Sequence, residues 1–465
     1  MSLFLGNVQV DGRPAAVRIA AGVVVAVEPD LEPDSGDDVV DGRGGALLPG
    51  LHDHHLHLLA TAAAASSVEC GPPSVADADG LRRALARMSA KLPKDTWLRG
   101  VGYHEQVAGD LDRRRLDALL PDRPLRIQHR SGALWMLNSA ALALVSPALD
   151  DSADVERDDS GAPTGRLWRY DARLRSAIPG APPDLNAVGA RLVSFGITGV
   201  TDATPDLDQG SVELLTRAVL HGGLPVRLQL LGWSDPAGLP RTVRIGPRKL
   251  LLRDHDLPRL DELVEAVSAT HRQGAQVAVH CVSRESLLLT LTALEQAGSV
   301  PGDRIEHAAV VPHEVRSWIA RLRVRVVTQP GFIRDRGDDY LTDVAGDDLP
   351  YLYPYASLLG AGVPVAPSSD APYGEIDPWA AMATAGDRLT RRRRLIGADE
   401  RVPAGTVLAG LLSPLDTPGG RPRTVRPGVA ADLCLLGEPL TRALAEPHAG
   451  LVRMTITGGV VRYGS

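Results

Sequence analysis

Short apolar runs broken by Gly and Asp open the chain. Over residues 3–48, the segments LFLGNVQVDG, AVRIAAGVVVAVEP and DVVDGRGGALLPG read as several short strands of a small sheet. The same texture returns at 431–464 (ADLCLLG, LVRMTITGGVVRYG), so the two ends of the chain are expected to pair into one small β-sandwich domain, residues 1–48 with 405–465. Between them, apolar strand-like runs at 196–202, 226–232, 248–252, 276–281, 303–308, 325–329 and 363–368 are each followed by a segment of helical period, for example Leu260 to Gln273 and Ser286 to Ala297. With the strand before His55 they make eight β/α units, the number that closes a parallel barrel. The expected fold is therefore α/β, a (β/α)8 TIM-like barrel over 49–404. The interval from about 70 to 190 is too long for one crossover. It reads as an insertion capping the barrel mouth, with a helix at Leu81 to Leu92 and a Pro/Asp/Gly-rich stretch at 147–165. The chain shows no solenoid-type repeat and no low-complexity tract.

Composition supports this picture and narrows the partners. At 465 residues the chain exceeds the usual single-domain size, in keeping with a large catalytic domain and a smaller companion. The formal net charge of -7 and a pI near 6.0 argue against nucleic acid. The one basic run, Arg391 to Arg394, lacks aromatic neighbours that could stack bases and is expected to be a solvated helix face. The N-terminus does not read as a signal peptide and no apolar run reaches membrane-spanning length. Cys70, Cys281 and Cys434 lie far apart without paired-ligand spacing, which fits a reducing compartment, and the cytoplasm is the expected location.

The strongest chemical signal is Leu48-Pro49-Gly50-Leu51-His52-Asp53-His54-His55-Leu56-His57. His55 and His57 are two apart at a strand end, so alternation points both imidazoles to one side, where they make half a coordination shell for a zinc-like ion. Alone, such a pair is matched by a His-rich surface turn. Val277-Ala278-Val279-His280 and Arg304-Ile305-Glu306-His307 change the balance, because each ends an apolar strand in a histidine and barrel active sites lie at that end. Histidines ending the first, fifth and sixth strands converge above the barrel axis. The last strand adds Val365-Ala366-Pro367-Ser368-Ser369-Asp370, whose carboxylate can ligate metal and accept a proton from metal-bound water. The alternative for Asp370 is to cap the turn Asp370-Ala371-Pro372.

The order HxH, Lys, His, His, Asp on successive strands resembles the amidohydrolase superfamily, and the match spans nearly the whole chain. In that superfamily the fourth strand often carries a lysine carbamylated by carbon dioxide and bridging two metals, and the resemblance implies this role for Lys249 in Gly246-Pro247-Arg248-Lys249-Leu250-Leu251-Leu252. A carbamate turns a cation into an anionic oxygen ligand. The alternative is a solvated Lys249 on the rim. Within the superfamily the chain is similar to the branch that includes N-substituted formamide deformylases, through Gly100-Val101-Gly102-Tyr103-His104-Glu105, Leu137-Asn138-Ser139-Ala140-Ala141-Leu142 and Gly161-Ala162-Pro163-Thr164-Gly165. Many of that branch carry a histidine just before the NSAAL-like segment; Ala133 stands there in this chain, with His129-Arg130 earlier. Tyr103, His104, His129 and Arg130 are candidate substrate contacts, with packing or surface roles as the alternative.

The resemblance implies one or two divalent ions, zinc by donor type, held by His55, His57, Lys249, His280, His307 and Asp370. It also implies a metal-activated water that attacks an amide-like carbonyl, with Asp370 carrying the proton to the leaving nitrogen. The expected function is hydrolysis of a non-peptide carbon–nitrogen bond in a small-molecule substrate. Hydrolysis of an ester, lactone or cyclic imide, and metal-assisted deamination or decarboxylation, are the alternatives within the same fold. A non-catalytic metal- or ligand-binding protein is the alternative of another class. No nucleic-acid or membrane partner is expected, and a homodimer is a candidate assembly.

Overall fold

The computed structural model describes residues 2–93, 96–178 and 183–464. Two compact units emerge, one formed by Met1–Leu58 with Leu185–Ser465, the other by Leu59–Asp184.

In the first unit, the chain ends form two four-stranded sheets. Ser2–Val10, Arg13–Ala20, Val23–Glu28 and Asp37–Asp41 make one, with Ser2–Val10 antiparallel to Arg13–Ala20 and parallel to Asp37–Asp41. Leu47–Pro49 crosses to the other end of the chain, where it pairs antiparallel with Leu433–Leu436, followed by Val452–Thr457 and Val460–Tyr463. Alternation on these strands buries Leu3, Leu5, Val17 and Ile19 of one sheet with Leu433, Leu435, Met454 and Ile456 of the other in a single apolar core.

The rest of this unit is a parallel α/β array in which every apolar run expected as a strand is one. Leu51–Leu56, Ile197–Asp202, Arg227–Leu230 and Val243–Ile245 make a four-stranded parallel sheet; Arg248–Leu250, Val277–Cys281, Arg304–His307, Arg325–Thr328 and Val365–Pro367 make a five-stranded one. Val243–Ile245 is an addition to the eight expected strands. The helices between strands follow their sequence signals: Leu260–Arg272 starts with Glu262 returning to the Arg259 N–H, and Arg284–Ala297 is capped by Ser283, whose hydroxyl accepts from Ser286 N. Backbone hydrogen bonds join the two sheets at both seams. Lys249 N donates to Leu231 O (2.9 Å) on one side, and Asp370 N donates to His55 O (2.8 Å) on the other. No strand ladder spans either seam among the described residues, so the eight expected strands form two open parallel sheets joined by such bonds rather than one unbroken ladder.

The second unit holds more β structure than its sequence suggests. Its six strands run in the order Val155–Arg157, Pro163–Trp168, Leu134–Leu137, Leu125–His129, Leu98–Tyr103, Val68–Glu69, packed on a core that includes Leu81, Leu85, Leu98, Ile127 and Met136. Its first long helix is Ala78–Ser89, capped by Asp77, three residues earlier than the Leu81 to Leu92 reading.

Arg391 to Arg394 does not lie on a helix, contrary to expectation. The helix Pro378–Asp387 stops at Arg388, which adopts a left-handed φ of 56°, and the run forms a tight exposed turn instead of a helix face. Asp335 pairs with Arg391 at 2.9 Å and Asp338 with Arg394 at 2.8 Å. Among the described residues, no helix is long and apolar enough to cross a membrane.

Candidate metal centre and active site

The strand Leu51–Leu56 is buried along its whole length, and it carries four polar residues, with His57 just past its end. His52 and His54 turn one way: His52 Nδ1 lies 2.9 Å from Ser413 O, and His54 Nε2 lies 3.2 Å from Gly410 O. Asp53, His55 and His57 turn the other way. Asp53 accepts from His55 N and from the amide and hydroxyl of Ser369, and burial pushes its carboxyl up to about 6. Asp202 accepts from Leu58 N (2.8 Å) and Thr204 N (3.0 Å), which fixes the turn carrying His57 and sets Thr204 Oγ1 3.2 Å from His57 Nδ1.

Register in the second sheet gathers the remaining candidates. Lys249 lies beside Ala278, Ala278 beside Arg304, and His280 beside Glu306, so Lys249, His280, Arg304 and Glu306 share one face. By parity His307 belongs to the opposite face. It reaches the group through a left-handed backbone (φ 69°), an uncommon state for a non-glycine residue, which puts its ring 4.5 Å from that of His280 and 4.7 Å from that of His55, centroid to centroid. Asp370 is left-handed as well, at φ 54°. Two such residues in one cluster mark a place where surrounding structure sustains strain on the order of 1–3 kcal/mol each, as functional sites do.

The result is a triad. Asp370 Oδ1 lies 3.2 Å from His57 Nε2 and 3.6 Å from His55 Nε2, and the three donor atoms lie within 4.8 Å of one another. His307 Nδ1 sits 3.8 Å from Asp370 Oδ2 and 2.9 Å from Gln329 Oε1. His55 Nε2, Asp370 Oδ1 and Lys249 Nζ are buried without a hydrogen-bond partner. Buried polar atoms are normally satisfied, so two orphaned acceptors 3.6 Å apart, His55 Nε2 and Asp370 Oδ1, fit a cation ligated by both. Burial, with the charge of Lys249 nearby, lowers His55 well below the usual histidine value and His280 to about 3. Neutral imidazoles are the form that binds metal. Burial likewise lowers Lys249 to about 8, against the opposing pull of Glu306 and Asp370.

The four substrate candidates lie in the Leu59–Asp184 unit. Tyr103 is buried and its hydroxyl donates to Gly109 O (2.5 Å). His104 caps the short helix Glu105–Ala108, with Nδ1 accepting from Gln106 N. His129 Nε2 lies 3.2 Å from Glu105 Oε2, and Arg130 N donates to Tyr103 O. Further residues contact the candidate ligands without having been expected from the sequence: Asp53, Thr204, Glu306, Gln329, and Tyr373, whose ring stands edge-on to His57 at 5.5 Å, with Arg304 paired to Glu306. The spacing of Arg304 and Glu306, two apart beside the candidate ligand His307, was the available signal.

Parallel β/α architecture with an HxH strand, a buried lysine, two further histidines and a terminal aspartate defines a class, and the comparison with known families agrees. Residues 38–463 match the amidohydrolase family, and the chain belongs to it. The chain is similar to the N-substituted formamide deformylase of Arthrobacter pascens, 28% identical, with 97% of this chain and 93% of that one covered. Its fold is similar to that of a metal-dependent hydrolase from Pyrococcus horikoshii OT3, with a TM-score of 0.73 at 18% identity and 99% of each chain covered. A second such hydrolase, from Pyrococcus furiosus, gives a TM-score of 0.69 at 20% identity over 95% of this chain and all of that one.

Proposed function

We propose that this protein is a metal-dependent hydrolase that cleaves an amide-like, non-peptide carbon–nitrogen bond in a small molecule. The observation that carries the reading is the triad of His55, His57 and Asp370 with two of its donor atoms buried and unpartnered. These three residues would hold a divalent cation, zinc by donor type, with His280, His307 and Lys249 beside them for a second ion. Such an ion, when bound, makes water acidic and polarises a carbonyl oxygen. Asp370 would take the proton of the attacking water and deliver it to the leaving nitrogen, the one carboxylate among the triad placed to move a proton. Lys249 suits carbamylation: with its amine lowered to about 8, roughly a tenth is unprotonated and nucleophilic toward carbon dioxide near pH 7. The relative named as a deformylase of N-substituted formamides supports a carbon–nitrogen bond as the target.

The test is direct. Purified protein is analysed for metal and offered a panel of N-formyl and N-acyl amines beside esters, lactones and cyclic imides, with amine release followed. We expect amine release that a chelator abolishes and zinc restores. Turnover of esters or lactones alone would move the reaction class, and stoichiometric metal without any turnover would make this a binding protein.

A further inference from the structure

Under the triad lies a pair of opposite charges that the hydrolysis above does not use. Arg304 and Glu306 are 1% and 0% exposed. Arg304 Nε donates to Glu306 Oε1, and Arg304 Nη2 donates to His54 O at 3.0 Å. The other carboxylate oxygen, Glu306 Oε2, faces His55 Nδ1. A guanidinium offers donors only, so Oε1 is committed to Arg304, and an acceptor pressed against Nδ1 requires that nitrogen to carry the ring proton. At the far side of the ring, Nε2 is buried and unpartnered, with Asp370 Oδ1 beyond hydrogen-bond reach at 3.6 Å. A proton on Nε2 would have no acceptor.

We propose that Glu306, anchored by Arg304, is a positioning residue that fixes His55 as its Nδ1–H tautomer and so leaves the Nε2 lone pair aimed at the triad. This rests on His55 being a metal ligand. His57 and His307 are oriented by neutral groups, the Thr204 hydroxyl and the Gln329 amide; His55 is oriented by a carboxylate, which also strengthens the imidazole as a ligand.

Glu306→Gln tests the proposal without changing volume. An amide has one acceptor oxygen, and Arg304 claims it; the NH2 then faces Nδ1 and can only donate. The ring proton must move to Nε2, the ligating atom. In metal-free protein labelled with 15N-histidine, we expect His55 to switch from the Nδ1–H to the Nε2–H tautomer, and zinc affinity to fall on the order of 10- to 100-fold with an unchanged circular dichroism spectrum. Adding Arg304→Met frees the amide to turn its oxygen toward His55. The double variant should regain the Nδ1–H tautomer and part of the affinity, a rescue that mere loosening of the core would not produce. The proposal fails if wild-type His55 carries its proton on Nε2, if Glu306→Gln leaves tautomer and affinity unchanged, or if the double variant is worse than the single. Should the variants not fold, the wild-type tautomer alone decides. A wild-type protein with the Nδ1–H tautomer that binds no zinc upholds the role of Glu306 and overturns the metal reading instead.

Discussion

Asp370→Asn separates the chemistry of this site from its architecture. The backbone at Asp370 is left-handed, a region that Asn enters as readily as Asp, whereas Ala would add strain on the order of 1 kcal/mol. Its Oδ1 has no hydrogen-bond partner, and its charged-group contacts are ring nitrogens of His57, His55 and His307 at 3.2, 3.6 and 3.8 Å. The amide therefore gives up no hydrogen bond at Oδ1, and stability should stay within about 1 kcal/mol of wild type, with the melting temperature moving by only a few degrees. Catalysis should behave differently. A lost general acid/base lowers the rate on the order of 10² to 10⁴, which is about 3–5 kcal/mol of transition-state stabilisation. The assay is kcat and kcat/KM against pH for the best substrate of the panel, with metal content measured on the same preparations. We expect at least one ion retained, the rate loss above, and a low-pH limb that shifts or disappears. Wild-type rates with an unchanged pH profile would refute the assignment and move the proton-carrying role to a histidine, with His307 the first to test.

Three further outcomes are expected. His55→Ala and His57→Ala should each lose activity and stoichiometric metal while keeping the wild-type circular dichroism spectrum; full metal and full activity in both would remove the HxH pair from the site. Lys249→Ala should be inactive and partly rescued by a short carboxylic acid, and protein equilibrated with 13C-labelled carbon dioxide should show a carbamate resonance that Lys249→Ala lacks; its absence from wild type would leave a mononuclear site on the remaining ligands. Burial, with Arg423 and His54 adding to it, holds His52 well below the histidine value of 6.5, so below about pH 6.5 the unfolded chain takes up a proton that the fold refuses. Stability is then full above that pH and falls as the solution is acidified, by up to about 1.4 kcal/mol per pH unit, and the melting temperature of His52→Gln should be less sensitive between pH 7 and 5.

The strand core of the first unit was readable because parallel strands buried on both faces keep near-continuous apolar runs: 276–281 became Val277–Cys281 and 325–329 became Arg325–Thr328. The second unit hid its sheet. Leu125–His129 reads LRIQH, with Arg126 and His129 half-buried among buried neighbours, and the strand Val68–Glu69 has only two residues, too few for a period to show. The Arg391 to Arg394 run misled for another reason. Charge spacing carries no information about the carboxylates of Asp335 and Asp338, more than fifty positions earlier, that hold it in a turn.

For the site, residue type was readable and direction was not. Alternation in Arg304–His307 assigns His307 to the same side as Ile305, away from His280, and only its positive φ brings the two rings to 4.5 Å. The same alternation places Arg304 and Glu306 together on the inner face. Two opposite charges at that spacing on a fully buried strand have to be paired, because an isolated buried charge is far too costly. The pairing leaves one carboxylate oxygen over for a third group, and the fold supplies His55 from a strand about 250 positions earlier. A histidine fixed in this way would turn its Nε2 toward His57 and Asp370 whether or not an ion is bound, which is the order that the charge pair of Arg304 and Glu306 can impose on the site.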